Sequence, residues 1–299
     1  MTSKLEELVL ERLRSAEALT GKLCTFGKAP AIFYQLAPDD KQRGWDRQNQ
    51  YPRVVFDIDR QASPERKSSG TLIVETFCDR AGIEPEELEP IIKERLKDVL
   101  MKPDGSFPYC FAWARTDAFT VDRVDGGAAL RNVIGQEIRF DVIEYPRQET
   151  TDPDPVAALN SFLLKEYPDV CVLGLSHMDN YTEATPERPV VYCRLQETAE
   201  TEITNTVVWM DARISIHVIC SDAETRLKVA ADIQNLLTWQ AEIIMLDRSP
   251  MRPTHVRMST TADYLKEGQV EGIYHYGVLR WRKKPHRIME AHLEIQPQE

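Results

Sequence analysis

Three acids stand close enough in the sequence to do chemistry together. Asp57 and Asp59 lie two positions apart in YPRVVFDIDR, and Glu75 follows in the next apolar run, GTLIVETFCD. Carboxylates converging on one face of neighbouring strands hold Mg²⁺ in strand-based nucleases, where the ion prepares water for attack on a phosphate. Such a site usually sets a lysine beside the glutamate to position the water. Here Glu75 is followed by Thr76 and Phe77, and the corresponding stretch later in the chain carries Cys193, Leu195 and His217. Acids on the solvent face of half-buried strands are the plainer reading. A metal-dependent nuclease using Asp57, Asp59 and Glu75 stands as the alternative.

Other chemistry is sparse. The sequence holds no GxGxxG after a strand, no GxxxxGK[ST] and no GxSxG, and it spends only 13 glycines on 299 residues. The histidines (His177, His217, His255, His275, His286 and His292) form no HExxH and no close ligand pair with a cysteine. His217 and His275 fall on strands opposite the apolar faces, as exposed or interface residues. No catalytic residue, metal ligand or cofactor is expected.

Two stretches have the composition of contact surfaces. The loop GWDRQNQ places Arg43, Trp45 and Arg47 in a long polar connection, and Trp and Arg are the residue types enriched at binding hot spots. The alternative is that Trp45 folds back onto its own domain. Near the C-terminus, RWRKKPHR gathers Arg280, Arg282, Lys283, Lys284 and Arg287 in a chain of net charge −11. That cluster would meet an acidic partner or DNA, or end a strand in solvent.

The acidic balance argues against a general grip on nucleic acid or anionic lipid. Six cysteines (Cys24, Cys78, Cys110, Cys171, Cys193 and Cys220) are scattered through apolar runs with no CxxC pair, as buried reduced thiols would be. The first residues, MTSKLEELVLERLR, carry acids throughout and no apolar core of a signal peptide. A reducing cytoplasm is therefore expected as the place of synthesis.

The elements that position these residues recur. Ser3 and Glu6 make a capping box before the stripe Leu5, Leu8, Val9, Leu13 and Ala16. Asp154, Pro155 and the stripe Val156, Leu159, Phe162 and Leu163 repeat that opening. Short strands over residues 31–36 and 170–175 lead through polar loops to Pro52 and Pro189. Beyond each proline, Val54, Phe56 and Ile58 alternate as Val191, Cys193 and Leu195 do. Third strands follow, with Leu72, Val74, Thr76 and Cys78 matching Ile214, Ile216, Val218 and Cys220. Next come helices on Leu88, Ile92, Leu96 and Val99, and on Val229, Ile233 and Leu237. Two strands close each half, EIRFDVIEY ending one and IYHYGVLRW the other. The expected fold is α+β: two tandem copies of a mainly antiparallel sheet packed by helices, in the order α-β-β-β-α-β-β. The copies span residues 1–150 and 151–285, a tail 286–299 follows, and the join falls near TTDPDP.

The second half has a cadence of its own: a helix ending in LLTW, a strand HVRMSTTADYL, then YHYGVLRWR. It resembles the small α+β domain of bacteriophage tail terminator, or tail completion, proteins, with the fit best over about residues 153–283. The first half fits through its opening and lacks the Gly-Val-Leu in its last strand. The resemblance implies structural work in a virion neck: a ring, typically hexameric, capping the tail tube and joining it to the head connector or stopper. It implies no catalysis and no cofactor, and duplex DNA passing without specific binding, with assembly in the host cytoplasm and no membrane. Duplication leaves two ring counts open, six chains or three chains of pseudo-sixfold symmetry. A generic oligomeric adaptor is a further alternative.

Overall fold

The computed structural model describes residues 4–39, 41–42, 45, 49–61, 69–124, 130–148 and 152–280. The apolar stripe at the start folds as α1 (Lys4–Arg14), which buries Leu5, Leu8, Val9 and Leu13. Glu6 in its first turn accepts a hydrogen bond from the Tyr34 hydroxyl at 2.9 Å; Ser3 lies outside the described residues. One further turn, α2 (Glu17–Thr20), precedes a small hairpin of β1 (Thr25–Phe26) and β2 (Ala29–Pro30). Gly27 turns that hairpin at φ +64°, in the left-handed region that glycine enters without cost. Then come β3 (Ile32–Tyr34), β4 (Arg53–Arg60) and β5 (Gly70–Asp79). A 3₁₀ turn at Pro85–Glu87 leads into α3 (Glu89–Leu96), and Leu88, Ile92 and Leu96 are fully buried.

The helix stops sooner than its spacing predicts. Asp98 takes φ +60°, a left-handed conformation that aspartate tolerates better than most residues. The chain turns there, and Val99 opens a strand, β6 (Val99–Met101), instead of extending the helical stripe. Two long strands follow, β7 (Tyr109–Val124) and β8 (Leu130–Glu144).

From residue 152 the chain builds α4 (Pro155–Glu166), capped by the Asp154 carboxylate, which accepts from the Val156 and Ala157 amides at 2.9 and 3.0 Å. Next are β9 (Cys171–Val172), β10 (Tyr181–Glu183), β11 (Val190–Ile203) and β12 (Val207–Ile219). The Asp222 side chain caps α5 (Ala223–Trp239), and β13 (Ile243–Ile244), β14 (Pro250–Met258) and β15 (Val270–Leu279) end the described chain.

These strands make two curled sheets, ordered β3-β4-β5-β8-β7-β6-β10 and β9-β11-β12-β15-β14-β13. The β3–β4 and β9–β11 pairs are parallel and the other strand pairs antiparallel. The fold is thus α+β and mostly sheet. It carries more elements than the expected order: the β1–β2 hairpin and the short strands β6, β10 and β13 are additional. Strands of two or three residues show too little alternation to read from sequence.

Helices α1 and α3 bury their stripes against Val54, Phe56, Leu72, Val74 and Phe140 in one core. Helices α4 and α5 cover Val191, Cys193, Ile214, Ile216 and Tyr274 in a second. A third cluster lies between the two lobes and joins Leu100, Cys110, Ile143 and Tyr145 to Cys171, Leu173, Tyr192 and Ile219. There β10 leaves its own lobe and pairs with β6, Thr182 opposite Leu100. All six cysteines are free, and five of them are buried.

Candidate interaction surfaces

Register decides what the three acids can do. Asp57 and Asp59 point outward on β4, opposite Ile73 and Thr71 of β5, whereas Glu75 stands opposite Val55. Glu75 has a different acidic neighbour, Glu137 on β8, which in turn faces Asp117 on β7. Burial raises the Glu75 pKa and the Glu137 charge adds to it. Arginines hold the rest of this row: Arg139 pairs with Glu137, and Arg115 with Asp117 at 3.0 Å. Among the described residues, no three His, Cys, Asp or Glu side chains gather as a metal-holding group.

The second sheet wears a different outer face. Glu197, Arg213, Glu271 and Arg257 alternate in sign across β11, β12, β15 and β14, with contacts of 3.6, 3.9 and 3.0 Å. Each such exposed pair contributes only about 0.2–1 kcal/mol. His275 stacks on Trp209 with ring planes 9° apart, and its Nδ1 lies 2.7 Å from Asp211 Oδ1.

Trp45 is a core residue. It is fully buried, with its ring packed edge-on against Phe26 and Phe33 at 5.0 and 6.0 Å. The indole is the lid of the β1–β2 hairpin, so it offers no surface to a partner, contrary to the expectation that its loop composition raised. Arg43 and Arg47 lie outside the described residues, as do Arg282, Lys283, Lys284 and Arg287. Arg280 sits at the distal end of the β11–β12 hairpin, where its guanidinium donates to the Thr204 carbonyl at 3.3 Å.

The junction between lobes is polar as well as apolar. Tyr264 donates its hydroxyl to Asp98 at 2.5 Å, and the Arg226 guanidinium lies over the Tyr264 ring at 3.9 Å. Burial raises the Asp98 pKa, opposed by the Tyr264 hydrogen bond and the Lys97 and Arg226 charges. His217 is buried here too, with its Nδ1 3.0 Å from the Tyr264 carbonyl and its ring against Tyr145 and Tyr192. Expected as an exposed or interface residue, the side chain is instead buried between the two lobes of one chain. Lys266 reaches across to Asp141 at 2.5 Å, and Tyr145 donates to the Leu265 carbonyl at 3.1 Å.

Beside this junction is a cavity of about 320 Å³, with Lys102, Arg147, Gln148, Tyr192 and Asn160 on its walls. Gln148 is committed to the Tyr192 hydroxyl and the Leu195 amide, and Asp154 to the start of α4. Asn160 is buried, and its Oδ1 has no hydrogen-bond partner among the described residues. Phe107 and Leu175 stand partly exposed on the same walls.

One corner was not legible in the sequence. Trp239, Ile244 and Leu246, where α5 passes into β13 and its turn, are 86%, 56% and 71% exposed. Burying one such side chain stabilises by about 1.5–3 kcal/mol, so three on one short segment make a candidate contact surface. In the apolar pair Ile243–Ile244 the first member is buried in the core and the second is exposed. A scan against protein-family models finds no match for this chain, and a search of the curated proteins finds none either.

Proposed function

We propose that the chain is a structural subunit built from two copies of one α+β unit, which assembles into a ring of the phage tail-terminator kind. In this role it caps a tail tube and joins it to the head connector, with duplex DNA passing through. The pairing order carries the proposal. From its parallel edge, one sheet runs β3-β4-β5-β8-β7-β6 and the other β9-β11-β12-β15-β14-β13. One helix precedes each parallel pair and another precedes β6 and β13. Register supports the same equivalence: Ile32 pairs with Val54 and Val54 with Thr76, as Val172 pairs with Val191 and Val191 with Val218. The exposed apolar corner at Trp239, Ile244 and Leu246 supports self-assembly.

Light scattering across a concentration series, with negative-stain images of the same fractions, tests the proposal. Closed rings of three or six chains are expected. A monomer at every concentration up to about a hundred micromolar, well above ordinary micromolar affinities, would sink it. Plasmid DNA incubated with the protein and Mg²⁺ should stay uncut.

A further inference from the structure

The stripe of α1 includes Leu5, Leu8 and Val9, all buried in the first core. At the same spacing α4 carries Val156, Leu159 and Asn160. Asn160 is only 8% exposed, and among the described residues its Oδ1 meets no donor. A buried carbonyl left in this state costs about 1–3 kcal/mol. The amide is on the wall of the cavity of about 320 Å³ beside the lobe junction. Gly174 leaves it uncovered on that side, since a Cβ there would stand 3.9 Å from Asn160 Nδ2.

The rest of the wall divides by chemistry. Val156, Leu173 and Met178 line the cavity as buried apolar side chains, whereas Lys102 and Arg147 are exposed. Among the described residues neither cation has an ion-pair partner. The acid on the same wall, Asp154, is committed to the Val156 and Ala157 amides. A chain of net charge −11 thus keeps two cations against one capped acid at this place. Small-molecule sites combine a concave, mostly apolar wall with a few polar groups in this way, and they favour junctions between domains.

We propose that this cavity binds a small organic anion with an apolar body and an N–H or O–H donor beside it. The apolar body packs against Val156, Leu173 and Met178, and the acid group meets Lys102 and Arg147. The donor supplies the bond that Asn160 Oδ1 lacks. The terminal amide torsion is broad, so Asn160 turns its oxygen to the ligand without a shift of α4. Lys102 comes from the first lobe and Asn160 from the second, so the ligand ties the lobes together and stabilises the fold by mass action.

Fluorescence titration of the full chain with 8-anilinonaphthalene-1-sulfonate tests this, because the probe carries apolar rings, an N–H and an acid group. Wild type should show saturable binding at one site per chain, with a raised thermal midpoint. Lys102→Glu with Arg147→Glu should weaken that binding at least tenfold. Neutral N-phenyl-1-naphthylamine should bind wild type at least tenfold more weakly than the anion does. Asn160→Val should weaken the anion at least threefold without lowering the thermal midpoint, since the lone buried acceptor goes with the amide. Leu246→Asp, at the exposed apolar corner, should bind as wild type does. Unchanged affinity in either cavity variant, or a loss in Leu246→Asp, puts the probe on another surface and overturns the proposal. So does a neutral probe bound as tightly as the anion, or no saturation by about 1 mM.

Discussion

Tyr264 and Asp98 are separated by 166 residues of chain and by the boundary between lobes, yet their side chains meet at 2.5 Å. The carboxylate gains this donor in a place where Asp98 is only 4% exposed. Removing the hydroxyl leaves a buried acceptor short of a partner, which costs about 1–3 kcal/mol. Tyr264→Phe should lower the urea midpoint accordingly. An unchanged midpoint would mean that water replaces the hydroxyl without loss.

The same pair gives a pH dependence with a definite sign. Burial raises the folded-state pKa of Asp98 above its unfolded value. At low pH the group is protonated in both states and costs nothing. As pH rises from the unfolded pKa through the folded one, the unfolded chain ionises more readily and stability falls. Asp98→Asn keeps an acceptor for Tyr264 and tolerates the positive φ, but carries no charge. Its stability relative to wild type should therefore grow between pH 4 and 7, read from urea midpoints at each pH. A gap that is constant or shrinks would contradict the raised pKa.

Trp45→Ala empties a fully buried site against Phe26 and Phe33. Truncating a buried tryptophan costs about 3–5 kcal/mol, so calorimetry should show the midpoint several degrees lower. A midpoint within one degree of wild type would return Trp45 to the surface.

Gly272 carries the Tyr274 ring folded back over it. A Cβ at Gly272 would meet the Tyr274 hydroxyl oxygen at 2.6 Å and two ring carbons at 2.7 Å. Tyr274 is fully buried in the second core and has little room to retreat. Gly272→Ala should cost about 1–3 kcal/mol by overpacking, and chemical denaturation should show it.

Thiol titration offers a check on both cores at once. Burial raises every cysteine, Cys24 to about 11 and Cys78 to about 12, and reaction requires an exposed thiolate. A thiol reagent should count no more than one cysteine in the native protein, Cys24, and six after denaturation. Two or more reacting promptly in the native state would mean that a core opens.

The sheets were legible because their strands are long. Val54, Phe56 and Ile58, and likewise Val191, Cys193 and Leu195, alternate over enough residues to declare a buried face, and Leu88, Ile92 and Leu96 declare a helix. The short edge strands declared nothing, since Ile243–Ile244 has no period. Trp45 misled because its partners, Phe26 and Phe33, lie across a turn-rich stretch that no local pattern connects to it. The Asp98–Tyr264 contact is invisible for the same reason at greater distance. The surfaces that remain open, Leu36 and the corner at Ile244, show only once burial is known.

The filling of β6 by β10 also has a consequence in time. Synthesis proceeds from the N-terminus at about 5–20 residues per second, and β10 lies roughly 80 residues downstream of β6. For several seconds the newborn first lobe therefore presents an uncovered sheet edge with Leu100 and Cys110 facing water. Neighbouring ribosomes on one message would hold identical open edges side by side during that interval. The second lobe is thus the first lobe's chaperone, delivered late and covalently attached.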